Sequence, residues 1–330
     1  MKEIKIGFIG CGEHSYAHLR NLQKMDGVKV AGAFDPRKES VEKFLKEAGD
    51  VQVFKSDKEL IEKGNFDAVV INSPHTCHFP QIMMSLKNGL HVLVEKPAVV
   101  NYKESQEVKK LLKKTKRIFV VGYQRHYMET FLSAKKILEE KKLGKIVFVS
   151  GYLAQDWINI VKNTGRTWRF DPKFSGGGQL TDSGSHFVAM LFYLTGLTPA
   201  KVASFIDYHG MKVDINTAFI VQFKEKIIGS FGILGIDPSF REALLIWGEK
   251  GIIKLSAFGE NCYVHYYGEQ EPQKLPESVS NVKSPAQDLI ECIKENKQPQ
   301  TPFSVIEKVA LLSDKIYQSF KKGKIVKAFA

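Results

Sequence analysis

Cysteine is scarce in this chain of 330 residues, which contains only four. Cys11, Cys77, Cys262 and Cys292 are widely separated and form neither a C-x-x-C pair nor a zinc-binding spacing. The pattern predicts reduced thiols, as in a cytosolic protein, and no metal site.

Long hydrophobic runs, internal repeats and low-complexity tracts are absent as well. No stretch of about 18 apolar, uncharged residues exists, so we predict no transmembrane helix. The apolar patch in MKEIKIGFIGCG is too short for the core of a signal peptide and runs directly into glycines. We interpret it as a first β-strand and expect a cytoplasmic protein.

Basic residues outnumber acidic ones, and the formal net charge is +12. Such an excess can indicate a nucleic acid or an anionic ligand as partner. The lysines of segments 109–116, 135–142 and 321–327 are, however, mostly mixed with glutamate and leucine at helical spacing, which is typical of solvated helix faces. We therefore predict no nucleic-acid partner.

The first 122 residues alternate strictly between strand-like and helix-like segments. The predicted strands are short apolar runs, at 3–9, 28–34, 51–54, 67–72, 91–94 and 118–122. Continuous apolar strands, as opposed to alternating ones, are expected when helices cover both faces of a parallel sheet. We predict an α/β chain whose residues 1–124 form a Rossmann domain, a doubly wound parallel sheet that binds a dinucleotide.

Residues 125–330 have a different pattern of predicted helices and strands, and the length of the chain favours a second domain. Helices are predicted at 129–142, 184–195, 285–296 and 303–321, with a long loop before the second helix and another loop over 269–285. The strand-like runs between 146 and 267 are separated by short turns, including a hairpin at 223–227. We expect an α+β domain with a mostly antiparallel open sheet, which binds substrate and forms oligomers.

A glycine-rich turn joins the first strand to the first helix. Its residues are Gly10, Cys11, Gly12, Glu13, His14 and Ser15, close to the pattern G-x-G-x-x-G or A. The first glycine permits a tight turn, the second lets the backbone approach a pyrophosphate, and the small Ser15 allows close packing of helix and strand. The helix N-terminus then offers N–H groups to phosphate. Because glycines end many strands, this motif alone is weak evidence.

Asp35 ends the second strand, at the position where a carboxylate can accept hydrogen bonds from the adenosine ribose hydroxyls. The same carboxylate repels the additional phosphate of NADP, although Arg37 can partly offset that repulsion. The sequence thus favours NAD and leaves NADP open. The alternative is that Asp35-Pro36 is only a turn.

Three further strands end in polar segments, at 72–75, 95–97 and 122–125. Ligands of open parallel sheets bind outside the carboxyl ends of the strands. Lys96 stands at such an end, where it could hydrogen-bond a reacting oxygen and help to move its proton. The alternative is an ordinary surface lysine in a loop.

A second polar constellation follows three consecutive glycines at 176–178. Asp182 and His186 are four residues apart and share a face if the segment is helical. Histidine titrates near neutrality and suits the removal of a hydroxyl proton during alcohol oxidation. The alternative is a helix-start aspartate with an unrelated histidine.

Together these segments resemble the glucose–fructose oxidoreductase / inositol dehydrogenase (Gfo/Idh/MocA) family. The resemblance covers essentially the whole chain and is carried by IGFIGCGEHSYAHL, INSPHTCHF, HVLVEKP and WRFDPKFSGGGQLTDSGSH followed by YLTG. Two positions depart from the family pattern: Ser15 replaces the third glycine, and Ala189 replaces an aspartate that many relatives have after the histidine.

The resemblance implies a nicotinamide cofactor and a catalytic trio of Lys96, Asp182 and His186, in which the lysine and histidine handle the hydroxyl proton and the aspartate supports the histidine or binds substrate. It places a further group near the nicotinamide and its ribose: Ser73, Pro74, His75, His78 and Glu95. Candidate substrate-pocket residues are Tyr123, Trp157, Trp168 and Arg169, together with the trio, and Arg125 is a candidate for contact with cofactor or substrate.

The leading hypothesis is an NAD(P)-dependent dehydrogenase that acts on a secondary alcohol of a sugar, cyclitol or polyol, as a homodimer or homotetramer. One alternative is a glycosidase that uses NAD for transient oxidation. Another is a catalytically silent protein that senses NAD or a sugar.

Overall fold

The computed structural model describes residues 3–276 and 282–329, which divide into two compact units. Unit 1 comprises the chain up to Val99, Lys103–Tyr123 and Lys283–Phe303. Unit 2 comprises Val100–Tyr102, Gln124–Val282 and the chain from Ser304 onward.

In the described residues, unit 1 contains a six-stranded sheet in the order β3-β2-β1-β4-β5-β6, with every pairing parallel. With elements numbered along the chain, its strands are β1 Ile4–Ile9, β2 Val28–Phe34, β3 Gln52–Val53, β4 Ala68–Ile71, β5 His91–Val94 and β6 Phe119–Val121. Its helices are α1 Glu13–Gln23, α2 Lys38–Ala48, α3 Asp57–Lys63, α4 His75–Lys87, α5 Tyr102–Thr115 and α10 Pro285–Glu295.

This strand order is that of the dinucleotide-binding doubly wound sheet, and it confirms the predicted fold of the N-terminal region. Strand β4 shows why the sequence forms it: all four residues of AVVI are buried, as required of a strand covered on both faces. The order reverses between β1 and β4, so the turn after β1 and the end of β4 lie side by side.

Helix α10 belongs to unit 1 although it lies far beyond residue 124. It begins at a capping box in which the Ser284 and Gln287 side chains each bond the other residue's backbone N–H. Its apolar stripe, which includes Leu289 and Ile290, joins the core around Ile6, Leu19 and other residues of β1 and α1. The domain division therefore differs from the single boundary expected at 124/125, because a return of the chain to an earlier core leaves no local signal.

In the described residues, unit 2 contains a nine-stranded sheet in the order β14-β13-β12-β11-β7-β10-β9-β8-β15. Only the pair β7 and β10 is parallel, which agrees with a mostly antiparallel sheet. The strands are β7 Ile146–Ala154, β8 Pro199–Asp207, β9 Asn216–Phe223, β10 Ile228–Leu234, β11 Arg241–Gly248, β12 Gly251–Leu255, β13 Tyr263–Tyr266, β14 Gln273–Lys274 and β15 Val326–Lys327.

The helices of unit 2 are α6 Glu129–Glu139, α7 Trp157–Asn163, α8 Pro172–Ser175, α9 Ser183–Thr195 and α11 Phe303–Lys322. Helix α9 is buried over almost all of its length and packs on the sheet, with the Phe187 and Phe231 rings 6.0 Å apart. The hairpin predicted at 223–227 is present, since Phe223 N–H donates to Ile227 O over 2.8 Å.

Two predicted loops contain secondary structure. The loop expected before α9 holds α7, α8 and a 3₁₀ helix at Thr167–Phe170, which are too short to show a sustained helical period. The loop expected at 269–285 holds the two-residue strand β14, while 277–281 lie outside the described residues. No helix in residues 3–276 and 282–329 has the length and apolar character needed to cross a bilayer.

Truncation of Leu289 tests the assignment of α10 to the core of unit 1. Leu289 is fully buried, so Leu289→Ala is expected to lower the free energy of unfolding by about 2–5 kcal/mol through lost burial and a cavity. The exposed Glu295→Ala on the same helix is the control, with an expected change under about 1 kcal/mol. Urea unfolding followed by circular dichroism measures both, and equal small losses would contradict the assignment.

Candidate functional site

The turn after β1 passes against the end of β4. Gly10 has φ +92°, and a Cβ there would lie 2.7 Å from the carbonyl carbon of Asn72 and 2.9 Å from the N of Ser73. Only glycine fits this conformation and this approach. At Gly12 an added Cβ would meet only Nη2 of Arg37, 3.7 Å away, among the described residues. The backbone at Gly12 is therefore accessible to a ligand, and it stands at the N-cap of α1.

Ser15 closes this turn from the helix side. It is fully buried, and its hydroxyl donates to the Gly12 carbonyl over 2.6 Å, alongside a 2.9 Å bond from its own N–H to the same oxygen. The structure thus shows how a small polar residue serves in the third position of the glycine motif.

Asp35 is bound by the glycine turn. Its Oδ2 accepts the Cys11 N–H over 2.9 Å, and its Oδ1 accepts the Arg37 N–H over 2.9 Å and lies 3.2 Å from Nε of Arg37. The carboxylate is 5% exposed, whereas the Arg37 side chain is 68% exposed. Burial, and then the Asp35 charge, raise the pKa of the Cys11 thiol to about 12, so this cysteine stays protonated.

The segment after β4 carries Ser73, Pro74, His75 and His78, which the family resemblance places near the nicotinamide. Pro74 is the N-cap of α4, and His75 and His78 are buried with ring centroids 6.0 Å apart. Both ring nitrogens of His78 lie 2.8 Å from carbonyl oxygens, those of Ser73 and Pro97. His78 therefore joins the end of β4 to the segment after β5.

Glu95 is buried at the end of β5. Its Oε1 lies 2.9 Å from Nε2 of His18 on α1, and its Oε2 accepts the Lys96 N–H over 3.2 Å. A Cβ on Gly122, just after β6, would lie 2.9 Å from the Glu95 carboxylate, so a glycine leaves it room. Burial by itself would raise the pKa of Glu95, but the hydrogen bond with His18 and nearby positive charge outweigh it and lower the pKa to about 2.

Lys96 is only 9% exposed, so it is not an ordinary surface lysine. Unit 1 thus brings together the glycine turn, Asp35, the Ser73–His78 segment and Glu95-Lys96 at the carboxyl edge of its sheet. His18 and Gly122 complete this edge and were not among the candidate site residues. Their positions in the sequence could have identified them, because His18 lies in the first predicted helix and Gly122 ends a predicted strand.

In unit 2, Asp182 stands at the N-cap of α9, one residue before the helix begins. Its Oδ2 accepts the Trp157 indole N–H over 2.8 Å and forms an ion pair with Nε of Arg169 at 2.9 Å. Three of the candidate residues are therefore joined through one buried carboxylate. His186 follows in the first turn of α9, four residues after Asp182.

The remaining candidates are distributed over both units. Trp168 lies beside Arg169, whose guanidinium carbon is 4.7 Å from the indole ring centroid. Tyr123 is buried in unit 1. Arg125 is in unit 2, where its Nη1 lies 2.6 Å from both carboxylate oxygens of Glu242 on β11. Contact of Arg125 with cofactor or substrate stays a prediction, as do the roles of the other site residues.

Two family models match most of the chain. Residues 4–123 match the oxidoreductase family with an NAD-binding Rossmann fold, and residues 131–254 match the GFO/IDH/MocA C-terminal domain. The chain belongs to the Gfo/Idh/MocA family of oxidoreductases.

Individual relatives of this Gfo/Idh/MocA protein are distant in sequence. It is 28% identical over 151 residues to the scyllo-inositol 2-dehydrogenase (NAD(+)) of Bacillus subtilis, covering 46% of this chain and 44% of that protein. It is 26% identical over 263 residues to the myo-inositol 2-dehydrogenase of Thermotoga maritima, covering 76% and 74%. The matched region spans about half the length of the first of these relatives.

The fold of the Gfo/Idh/MocA chain is shared along its full length by a solved structure, an oxidoreductase domain protein from Kribbella flavida. The TM-score is 0.88 at 19% identity, with 100% of both chains covered. The likeness extends through unit 2, where the second family model ends at residue 254.

The depressed pKa of Glu95 predicts a pH dependence of stability. Because the folded pKa is about 2 and the ordinary value is 4.5, the stabilisation by the Glu95 carboxylate is complete above pH 4.5 and is lost as pH falls towards 2. Glu95→Gln is therefore expected to lose less unfolding free energy than the wild type over this range. Urea unfolding at a series of pH values measures it, with the exposed Glu271→Gln as control. Parallel curves for Glu95→Gln and the wild type would contradict the assigned pKa.

Proposed function

We propose that the chain is an NAD-dependent dehydrogenase that oxidises a secondary alcohol of a sugar, cyclitol or polyol. The observation that carries the proposal is the carboxyl edge of the first sheet, where an accessible glycine turn and a buried, bonded Asp35 lie on the same sheet as Lys96. The names of the two inositol dehydrogenases support the substrate class.

The residues of the glycine turn fit a dinucleotide. The open space above Gly12 at the N-terminus of α1 suits a pyrophosphate, which would accept hydrogen bonds from the first backbone amides of the helix. Asp35 would accept the adenosine ribose hydroxyls, and its negative charge favours NAD over NADP. Arg37 partly offsets this negative charge, since its exposed guanidinium already pairs with Asp35.

Oxidation of a secondary alcohol removes a hydride from carbon and a proton from the hydroxyl, and bound NAD would supply the hydride acceptor. The protein has to hold the hydroxyl oxygen and take its proton. Lys96 is proposed to bind that oxygen, because its backbone is fixed by Glu95 and its side chain is withdrawn from bulk water. His186 is proposed to share the proton transfer, for which imidazole has a suitable ordinary pKa.

Asp182 is proposed to act by fixing its neighbours. Its carboxylate already holds Trp157 and Arg169, and it precedes the helix that carries His186 by one residue. Trp168 and Arg169 are proposed to contribute an aromatic ring and a guanidinium to the substrate pocket, a combination that suits the apolar face and polar substituents of a sugar or cyclitol.

The two alternatives make different predictions. A glycosidase that uses transient oxidation would release sugar without net NADH, but neither named relative reported above is a glycosidase. A silent sensor would bind NAD and turn over nothing across a wide polyol panel. Net NADH formation from any polyol separates the dehydrogenase from both.

We also propose that a second copy of the chain covers the exposed face of the unit 2 sheet. This face carries exposed apolar side chains on four neighbouring strands: Phe148, Tyr152, Phe205, Ile220, Ile228 and Leu234. Its two middle rows contain no charge, namely Leu245-Ser150-Ser230-Ile220-Ala203 and Ala243-Tyr152-Gly232-Ala218-Phe205. Large uncharged faces of this kind are typical of interfaces, and a symmetric pair of copies would cover two at once.

Replacement of Lys96 tests the dehydrogenase proposal. Lys96→Ala is expected to lower kcat for NADH formation about 10²–10⁴-fold, because the proton transfer loses its side chain. Turnover is measured by NADH absorbance over a panel of inositols, sugars and sugar acids, and NAD affinity by calorimetry. The exposed Lys87→Ala is the control. Unchanged kcat in Lys96→Ala would remove Lys96 from the mechanism.

Replacement of Phe205, which is 79% exposed, tests the second copy. Phe205→Glu is expected to shift the wild-type dimer or tetramer to a smaller species in sedimentation velocity, because a carboxylate would be buried at the interface. Phe258→Glu, an exposed aromatic position outside the strands, is the control. A wild type that stays monomeric at every concentration would refute the interface.

A further inference from the structure

Asp214, between β8 and β9, is a buried carboxylate that the proposed reaction does not use. It is 1% exposed and contacts residues 178–180, which begin at the last of three consecutive glycines. Its Oδ1 accepts the Gly178 N–H over 2.6 Å, its Oδ2 accepts the Leu180 N–H over 2.8 Å, and its own carbonyl accepts the Gln179 N–H over 2.9 Å. Three consecutive backbone amides are thus bonded to one residue.

Tyr317 on α11 completes the cluster. Its hydroxyl donates to Oδ1 of Asp214 over 2.5 Å and lies 3.0 Å from Oγ1 of Thr181. Burial, then the charge and hydrogen bond of Asp214, raise the pKa of Tyr317 well above its ordinary value, so the hydroxyl keeps its proton and remains a donor. The carboxylate therefore has a partner at both oxygens.

The glycines are required by this cluster. A Cβ on Gly177 would overlap Oγ1 of Thr181 and the hydroxyl of Tyr317, and a Cβ on Gly178 would overlap the backbone of Asp214. Neither glycine has a positive φ, so close approach to the cluster, not backbone conformation, is what calls for glycine here.

The bonded segment leads directly into the candidate site of unit 2. The Asp182 N–H donates to the Gly178 carbonyl over 2.9 Å, and the Gly184 N–H donates to the Gln179 carbonyl over 2.9 Å. The residues fixed by Asp214 therefore fix Asp182 and the start of α9. Asp182 in turn holds Trp157 and Arg169.

We propose that Asp214 and Tyr317 are positioning residues, which clamp residues 178–181 so that the Asp182 carboxylate and the first turn of α9 are held in place for the reaction proposed above. The inference rests on the proposed function for its catalytic consequence. The clamp itself can be measured without turnover, through the hydrogen bond between Trp157 and Asp182.

The test uses Tyr317→Phe in the full-length protein, which removes only the hydroxyl. The expected result is exchange of the Trp157 indole N–H about tenfold faster than in the wild type, measured by NMR of protein labelled with ¹⁵N-tryptophan. Substitution of Trp168 and Trp247 in turn assigns the signal. In the NADH assay kcat is expected to fall several-fold while the Kd for NAD is unchanged.

Ser204→Ala is the matched control. Its buried hydroxyl donates to the carbonyl of Ile316, the residue before Tyr317, and its backbone N–H bonds Ser319, so its hydrogen bonds lie outside residues 176–181. It is expected to cost comparable stability while leaving the Trp157 exchange rate and kcat unchanged. If α11 is instead loosened in general, the Trp157 exchange rate and kcat will change in both variants. That result would overturn the proposal.

A second variant covers the case in which Tyr317→Phe fails to fold. Thr181→Val removes the other hydroxyl of the cluster with little change in volume and is expected to show the same faster exchange. If the Trp157 exchange rate is unchanged in whichever of the two variants folds, the proposed clamp is overturned. If the wild type turns over no polyol, the proposed function fails, while the exchange measurement still decides whether Asp214 and Tyr317 position Asp182.

Discussion

The carboxylate of Glu95 is buried where α1, β5 and β6 meet, and the arrangement of the first candidate site depends on it. It is bonded to His18 on one side and to the Lys96 backbone on the other, and Gly122 leaves it the space. A charge buried in this way is costly unless every oxygen has a partner, so these elements are fixed relative to one another. Lys96 therefore stands on a well-fixed segment, as the role proposed for it in proton transfer would require.

Buried carboxylates hold three other segments that carry candidate functional residues. Asp35 binds the backbone of the glycine turn, Asp182 binds Trp157 and Arg169, and Asp214 binds the amides of residues 178–180. In each case a carboxylate accepts bonds from backbone or indole N–H groups and so orders a segment that carries candidate functional residues. Glycines provide the close approach at two of these carboxylates, with Gly122 against Glu95 and with Gly177 and Gly178 against the cluster of Asp214.

Local patterns were sufficient to predict the parallel sheet of unit 1 and the positions of Asp35 and Lys96 at its carboxyl edge. Each strand there is a short apolar run, and Asp35 and Lys96 stand at strand ends where an open parallel sheet binds ligands. Contacts between residues that are distant in the sequence could not be predicted from local patterns. Glu242 lies 117 residues from Arg125, Tyr317 lies 103 from Asp214, and α10 packs on a core formed by residues more than 150 positions earlier. The short helices α7 and α8 were missed because fewer than two turns show no period.

The central claim is that a carbon-bound hydrogen of a polyol moves to NAD. It is tested most directly by incubating the protein with NAD and ring-deuterated inositols or sugars, followed by mass spectrometry of the nicotinamide cofactor. The account predicts deuterium in the NADH formed, with an oxidised polyol in equal amount. Tight binding of NAD with no deuterium in the cofactor from any polyol of the panel would contradict it.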